Sequence, residues 1–545
     1  MPTEPSAPER LPMRQPRGLE PTIAAVMVLA AIVVYGWVAA YSRDSFGFSD
    51  SVEYLFMADF YRAWLYGGDI AQYAGHYGST RYPPLFPLLL AGFGAGSTHP
   101  QWANGVSCLV AILAALAVWR WTRRDGALGR YGLWIAAAFL FYPAYFLLNL
   151  NVVSEPLAIG FLAWSFALLG EKELTRSRLL LASMLIGVAL LARTALLPAV
   201  PALVFWMWRR RGVSLRWQAM AVALAAGPIV LWLAYRSTLK SETYLDSLSW
   251  ADLVASAGAW PDLLWVLPGR LVAAVVSNWG TAPSALAILA STLLIALGAA
   301  GALIRLRRND LDAWFLGGYV AMILIWPFPE EISRFLVVVY PCLLLAALTA
   351  ARSLDSRVAA RWGEKWTRGL QLLLVGTITL TTLATAVAFA RRATVPVDPE
   401  LLGEKREAFF FLAPSPAEAL RQAEIIARAR LLAETLREQM PPGSCAYSVF
   451  PGFVKLHGKT DAIPYPGGIA DAATAKARLT RCDYYFQAGF GAGRGAVPNT
   501  FFEGWTQPVM VSNMESGTGP VAAAALLVRT EAADAAAQRV PPDSD

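Results

Sequence analysis

The chain has 545 residues, of which 56% are hydrophobic and only 16% charged, with 20 Trp and a net charge of +7; its mean hydropathy is +0.44. That is too apolar for an ordinary soluble domain, so the composition predicts a multi-spanning membrane protein. The positive charge does not point to nucleic acid, because the arginines gather in short turns between apolar runs and not along one polar stripe. It reads as the positive-inside signal.

Residues 1–20 are polar, Pro-rich and basic, with Arg10, Arg14 and Arg17, and are expected to be a disordered cytoplasmic tail. Residues 21–41 form a first span, too long for a signal-peptide core and followed by no small-x-small cleavage site, so it is expected to be retained. Further spans are expected at 100–121, 131–148, 154–170, 178–193, 194–208, 217–235, 284–305, 311–327, 335–351 and 368–390. Arg120, Arg123, Arg124 and Arg130 fall in one turn; Lys172, Arg176 and Arg178 in another; Arg209, Arg210, Arg211 and Arg216 in a third. Arg305, Arg307 and Arg308 form a fourth cluster, and Arg352, Arg357, Arg361, Lys365 and Arg368 a fifth. With about eleven crossings, every cluster lies on the side of the basic N-terminus, which the positive-inside rule makes cytoplasmic. Leu85 to Gly96 would break this pattern as a full crossing, and is read as a re-entrant or interfacial helix.

The topology places Asp50, Glu53, Arg81, Glu155, Arg193, the Ser277-Asn278-Trp279 turn, Glu330, Glu331 and Arg334 at or near the outer face. Ionisable groups at membrane depth are costly unless they pair or line a wet cavity, so this one-sided collection suggests a site. Helical periodicity over SDSVEYLFMADFYRAWLYG puts Asp50 and Glu53 on one face, and Arg81-Tyr82-Pro83-Pro84 closes the loop by starting the next helix. Guanidinium groups hold phosphate oxygens with paired donors, and a nearby carboxylate can take a proton from an attacking hydroxyl.

Asp50-x-x-x-Tyr54, Tyr82-Pro83-Pro84-Leu85-Phe86-Pro87, Ser154-Glu155-Pro156-Leu157, Arg193-Thr194 and Ser333-Arg334-Phe335, in that order along residues 20–390, resemble the GT-C superfamily. These are membrane glycosyltransferases that use polyprenyl-phosphate sugars, with the protein O-mannosyltransferases and the lipid A aminoarabinose transferase as examples. The resemblance implies a polyprenyl-phosphate-linked sugar donor, Asp50 as base or acceptor-positioning carboxylate, and Arg81 near the double proline on the carrier phosphate. Arg334 looks like a second phosphate contact. Single displacement with inversion is the expected chemistry. The acceptor, whether protein, lipid or glycan, is specified by none of these motifs.

Each residue also has a structural reading. Asp50 and Glu53 also suit the solvated start of an interfacial helix, and Glu155 a carboxylate at the positive end of a helix dipole. Arg193 fits either a phosphate contact or a side chain snorkelling from a short span, and Arg334 either phosphate or an ion pair with Glu330 and Glu331. Tyr54, His76 and Tyr82 are candidate substrate contacts, although a solvated loop histidine is the plainer reading of His76. The three histidines are too scattered for a zinc site. A divalent ion on Asp50, Glu53 and Glu155 is left open, and no other cofactor is implied.

After Arg391-Arg392 the apolar runs give way to a charged helical stretch near Pro416–Gln439 and to short strand-like runs, CAYSVF, CDYYFQA, PVMVSN and AAALLV. The expected organisation is therefore mainly α: a polytopic helical membrane domain at 21–392, with a catalytic first outer loop at 42–83, and an extracytoplasmic α/β domain at 393–545. Cys108 and Cys342 lie in spans as inert core residues, whereas Cys445 and Cys482 sit where a disulfide is permitted. The expected location is a bacterial inner membrane. A lipid-linked-sugar flippase or transporter is the alternative from another class, though the chain shows no convincing internal repeat. A non-catalytic membrane scaffold would leave the acids and arginines unexplained.

Overall fold

The structure is a computed structural model. It describes residues 20–41, 49–68, 82–238 except positions 127, 150, 172 and 211, 260–278, 285–324, 332–362, 383, 387, 416–488 except 464, 466–468 and 470, 497–516 and 519–531. The boundary expected near residue 392, the span expected at 368–390 apart from positions 383 and 387, and the residues Arg81, His76, Trp279, Glu330 and Glu331 lie outside the described residues.

The helices run α1 (Glu20–Tyr41), α2 (Ser49–Tyr66), α3 (Leu85–Gly92), α4 (Pro100–Thr122), α5 (Gly132–Leu140), α6 (Pro143–Leu148), α7 (Glu155–Leu169), α8 (Arg176–Ala192), α9 (Ala199–Arg209) and α10 (Leu215–Ser237). They continue as α11 (Trp260–Asn278), α12 (Ala285–Arg307), α13 (Leu311–Leu324) and α14 (Ile332–Trp362). Among the described residues, four helical segments are long and apolar enough to cross a membrane: Pro100–Thr122, Leu215–Ser237, Ile288–Arg307 and Ile332–Ser353. In the second and third of these only 22% of the apolar window is buried, and residues such as Leu231 and Leu289 stand exposed. Such apolar surface is what lipid would cover, and a helix keeps its own backbone groups satisfied there.

Two departures from the expected spans have local causes. The run at 131–148 is split into α5 and α6 because Pro143 disfavours helical backbone at the residue before it. Tyr142 at that break stacks on Tyr340 of α14, with ring centroids 3.7 Å apart. The helix α11 was not among the expected spans; Pro268, Gly269 and Arg270 interrupt its apolar run, yet the helix passes through them. Close packing elsewhere rests on small residues: a Cβ at Gly301 of α12 would collide with the Ala346 backbone of α14, the kind of approach that membrane helices use in place of a hydrophobic driving force.

The arginine clusters meet at one end of this bundle. Arg124 pairs with Glu171, which also takes Arg178 at 2.5 Å, and Arg209 donates to the Leu306 carbonyl at 3.2 Å. Arg305, 3% exposed, holds Asp125 at 2.6 Å and Asp312 at 2.9 Å.

The C-terminal region is α/β. Helix α15 (Pro416–Gln439) covers a five-stranded sheet ordered β2-β1-β3-β5-β4. Strands β1 (Cys445–Ser448), β2 (Asp461–Ile463) and β3 (Tyr484–Ala488) are parallel, with α16 (Pro451–Gly458) and α17 (Ala472–Arg478) as crossovers, while β4 (Thr506–Ser516) and β5 (Gly519–Arg529) form an antiparallel pair. Leu432 and Leu436 of α15 pack on Phe486 and Leu526 of the sheet. A Cys445–Cys482 disulfide, with Cα atoms 5.1 Å apart, ties β1 to the start of the β3 segment. Cys108 and Cys342 are free and buried.

Candidate functional site

Helix α7 is 15 residues long, so its two ends are about 22 Å apart. Its last residue lies near the arginine clusters, and its first, Glu155, marks the opposite end of the bundle. Helix α8 returns from Arg176 and stops at Arg193, whose backbone turns extended at φ −154°. Helix α14 begins at Ile332, bringing Arg334 into its first turn. Helix α2 begins at Ser49 with Asp50 in its first turn. Four helix termini thus deliver two carboxylates and two guanidinium groups to one place.

Arg334 joins them. Its Nη2 lies 2.6 Å from Asp50 Oδ2 and its Nε donates to Glu155 Oε1 at 2.6 Å. Arg193 Nη1 reaches the same Glu155 oxygen at 2.9 Å and stands over the Phe335 ring at 5.8 Å. Glu155 is completely buried, and its second oxygen, Oε2, has no hydrogen-bond partner among the described residues. Asp50 is 17% exposed, the more accessible of the two carboxylates. Burial alone would raise the Asp50 carboxyl; the Arg334 guanidinium, the Tyr82 hydroxyl and Arg193 outweigh it and bring the pKa down to about 2.

The Tyr-Pro-Pro run supplies the wall. Tyr82 donates its hydroxyl to Asp50 Oδ1 at 2.8 Å, and its ring lies 5.0 Å from that of Tyr54. Tyr54 exchanges a hydrogen bond with Ser154 Oγ at 2.9 Å and packs edge-on against Phe86. Pro84 opens α3 as its cap, which fixes Tyr82 at the mouth of the loop.

Of the residues singled out in the sequence, Asp50, Tyr54, Tyr82, Glu155, Arg193 and Arg334 come together. Glu53 is buried one turn along α2. Asn278 reaches the neighbourhood by donating to the Ser333 carbonyl at 2.8 Å. Tyr319 of α13, fully buried and within electrostatic range of Arg193, Glu155 and Arg334, was missed; in sequence it is one more tyrosine in an apolar run. Asp50 and Glu155 are bridged by the Arg334 guanidinium. Among the described residues no group of three or more His, Cys, Asp or Glu could hold a metal.

No protein-family profile matches the sequence, and no curated protein matches it. Solved structures similar to the chain include ArnT from Cupriavidus metallidurans in the apo state, at 15% identity and a TM-score of 0.49 over 86% of this chain and 93% of that one. The same protein bound to undecaprenyl phosphate gives 16% identity and a TM-score of 0.48 over 86% and 94%. An Archaeoglobus fulgidus oligosaccharyltransferase tethered to an acceptor peptide gives 13% identity and a TM-score of 0.47 over 86% of this chain and 69% of that one. These neighbours are glycosyltransferases of the GT-C type. At such identities and scores the residues of the site, and not the likeness, bear on what this chain does.

Proposed function

We propose that the chain is a membrane glycosyltransferase that moves a sugar from a polyprenyl-phosphate carrier to an acceptor hydroxyl, at the end of the bundle opposite its arginine clusters. The observation that carries this reading is the placement of one guanidinium, Arg334, between an accessible carboxylate and a buried one, with Arg193 beside it. A sugar phosphate already has a good leaving group, so the protein needs to position the acceptor, take its proton and neutralise the departing phosphate.

Asp50 is the base. The acceptor oxygen attacks the anomeric carbon, the bond from that carbon to the phosphate oxygen breaks with its electron pair leaving on phosphate, and the acceptor proton passes to Asp50. Arg334 and Arg193 stabilise the phosphate, and Glu155 aims both of them from beneath. Because Glu155 is enclosed and engaged by two arginines, a covalent nucleophile is absent from the assignment and configuration inverts. At a pKa of about 2 Asp50 is a poor base while it is paired with Arg334. Carrier phosphate competes for Arg334, so donor binding itself makes the carboxylate more basic.

The test is transfer by purified protein in lipid from a panel of polyprenyl-phosphate sugars, with membrane extract of the source as acceptor. Product from one donor, with inverted configuration, is expected. A folded protein that binds the lipid carrier and transfers from no donor would overturn the reading, and retained configuration would remove its single-displacement step.

A further inference from the structure

A polar cavity of about 630 Å³ lies between α2 and the C-terminal domain. Phe56 of α2 and Ser97 and Thr98 of the turn before α4 form one wall. The other wall carries Arg437, Lys455 and Lys459 against a single carboxylate, Asp461. The Lys455–Asp461 contact is 3.4 Å long with Asp461 81% exposed, a solvated pair that water screens.

The cavity is tied to the site helix in two ways. Ser97 donates both its backbone N–H, at 3.0 Å, and its hydroxyl to Asp59 of α2, and a Cβ at neighbouring Gly96 would collide with that carboxylate. Across the cavity, Leu456 of α16 packs into the apolar cluster that holds Val52, Tyr54 and Phe86. Lys455 and Lys459 flank this anchor on the same short segment, so their height above α2 is fixed by it. Phe56 is six positions beyond Asp50, about 9 Å along the axis, and it neighbours Glu53 at one helical turn. A molecule seated in the cavity therefore stands within one small-molecule length of the proposed base.

We propose that this interdomain cavity binds an anionic group, a phosphate or carboxylate, of the acceptor substrate. That the anion belongs to the acceptor rests on the transferase reading above; that the cavity binds an anion does not. The C-terminal domain then contributes to specificity directly, by gripping one end of the acceptor while its hydroxyl reaches Asp50.

The experiment is lysine acylation footprinting of the full chain in nanodiscs, read by mass spectrometry, with inorganic pyrophosphate as probe. Pyrophosphate is expected to slow modification of Lys455 and Lys459 and to leave Lys476, on the far helix α17, unchanged. Equal rates at all three lysines would overturn the proposal. Nanodiscs of phosphatidylglycerol and of phosphatidylcholine, without pyrophosphate, separate the sources: protection in the first alone assigns the site to a lipid headgroup, and protection by pyrophosphate alone to a free or glycan-borne anion. In the transfer assay, Lys459→Glu with Arg437→Glu should raise the acceptor KM about tenfold, the worth of one charge-assisted contact, with donor affinity unchanged. Wild-type transfer with an unaltered acceptor KM in the variant would refute this inference alone; absence of wild-type transfer beside intact lysine protection would refute the transferase reading alone.

Discussion

Arg334 stands 2.6 Å from Asp50 and 2.6 Å from Glu155, so one guanidinium serves a partly accessible carboxylate and a carboxylate that is sealed from solvent. These charges hold one another, and each can be removed only at a cost to the others.

Removing Arg334 alone leaves Glu155 buried with Arg193 as its remaining partner. Arg334→Ala is expected to destabilise the protein by about 3–5 kcal/mol, seen as a lowered Tm in detergent. The pair Arg334→Gln with Glu155→Gln should recover most of that stability and still fail to transfer sugar. An equally unstable double variant would mean that Glu155 does not depend on Arg334.

Tyr82 tunes Asp50 through one hydrogen bond. Tyr82→Phe removes a contact that holds the carboxyl down, so the acid limb of the pH–rate profile should move to higher pH by about one unit. An unmoved limb would show that Asp50 is not the group titrating there.

The lowered Asp50 pKa also couples the fold to pH. A carboxylate depressed from 3.8 to about 2 stabilises the protein above its unfolded value, and that contribution fades as pH falls through this window. Denaturation between those limits should be steeper for wild type than for Asp50→Asn. Parallel curves would place the ion pair outside the stability of the fold.

Asp310 behaves in the opposite sense. Burial, with Asp312 and Asp125 nearby and despite Arg305 and Arg308, raises it to about 6. A raised carboxyl is favourable while protonated and becomes unfavourable as pH rises from its unfolded value through the folded one. Asp310→Asn is therefore expected to raise Tm at pH 7 and to leave it little changed at pH 4. A lowered Tm at pH 7 would show that its 3.5 Å contact with Arg305 outweighs the burial.

The disulfide closes a loop of sequence separation 37, which corresponds to roughly 4 kcal/mol of unfolded-chain entropy. Cys445→Ser with Cys482→Ser should lower the stability of the C-terminal domain by an amount approaching this. Thiol labelling of the unreduced wild type at all four cysteines would contradict the pairing.

The sequence carried the site's membership better than its wiring. Asp50, Tyr54, Tyr82, Glu155, Arg193 and Arg334 were each marked by a helix terminus or a proline, because charges at membrane depth and Pro-Pro pairs are conspicuous against apolar runs. Which acid takes which arginine was invisible, since Glu155 and Arg334 lie 179 positions apart and meet only in the folded chain. The helix α11 was hidden by Pro268 and Gly269, breakers that neighbouring helices can accommodate. The helix near Pro416–Gln439 was legible because its charged stretch is followed by Pro441-Pro442-Gly443. The cavity beside α2 had no signal at all, for its cations come from α15 and α16 and its floor from α2.

The most direct measurement compares wild type with Asp50→Asn for sugar transfer and, in the same preparation, for binding of the polyprenyl-phosphate donor. The account predicts that transfer falls by at least about a hundredfold while donor binding is kept or tightened, because Arg334 is released to the phosphate. Transfer that survives the substitution would contradict the assignment of Asp50 as the base and move that role to another carboxylate of the site.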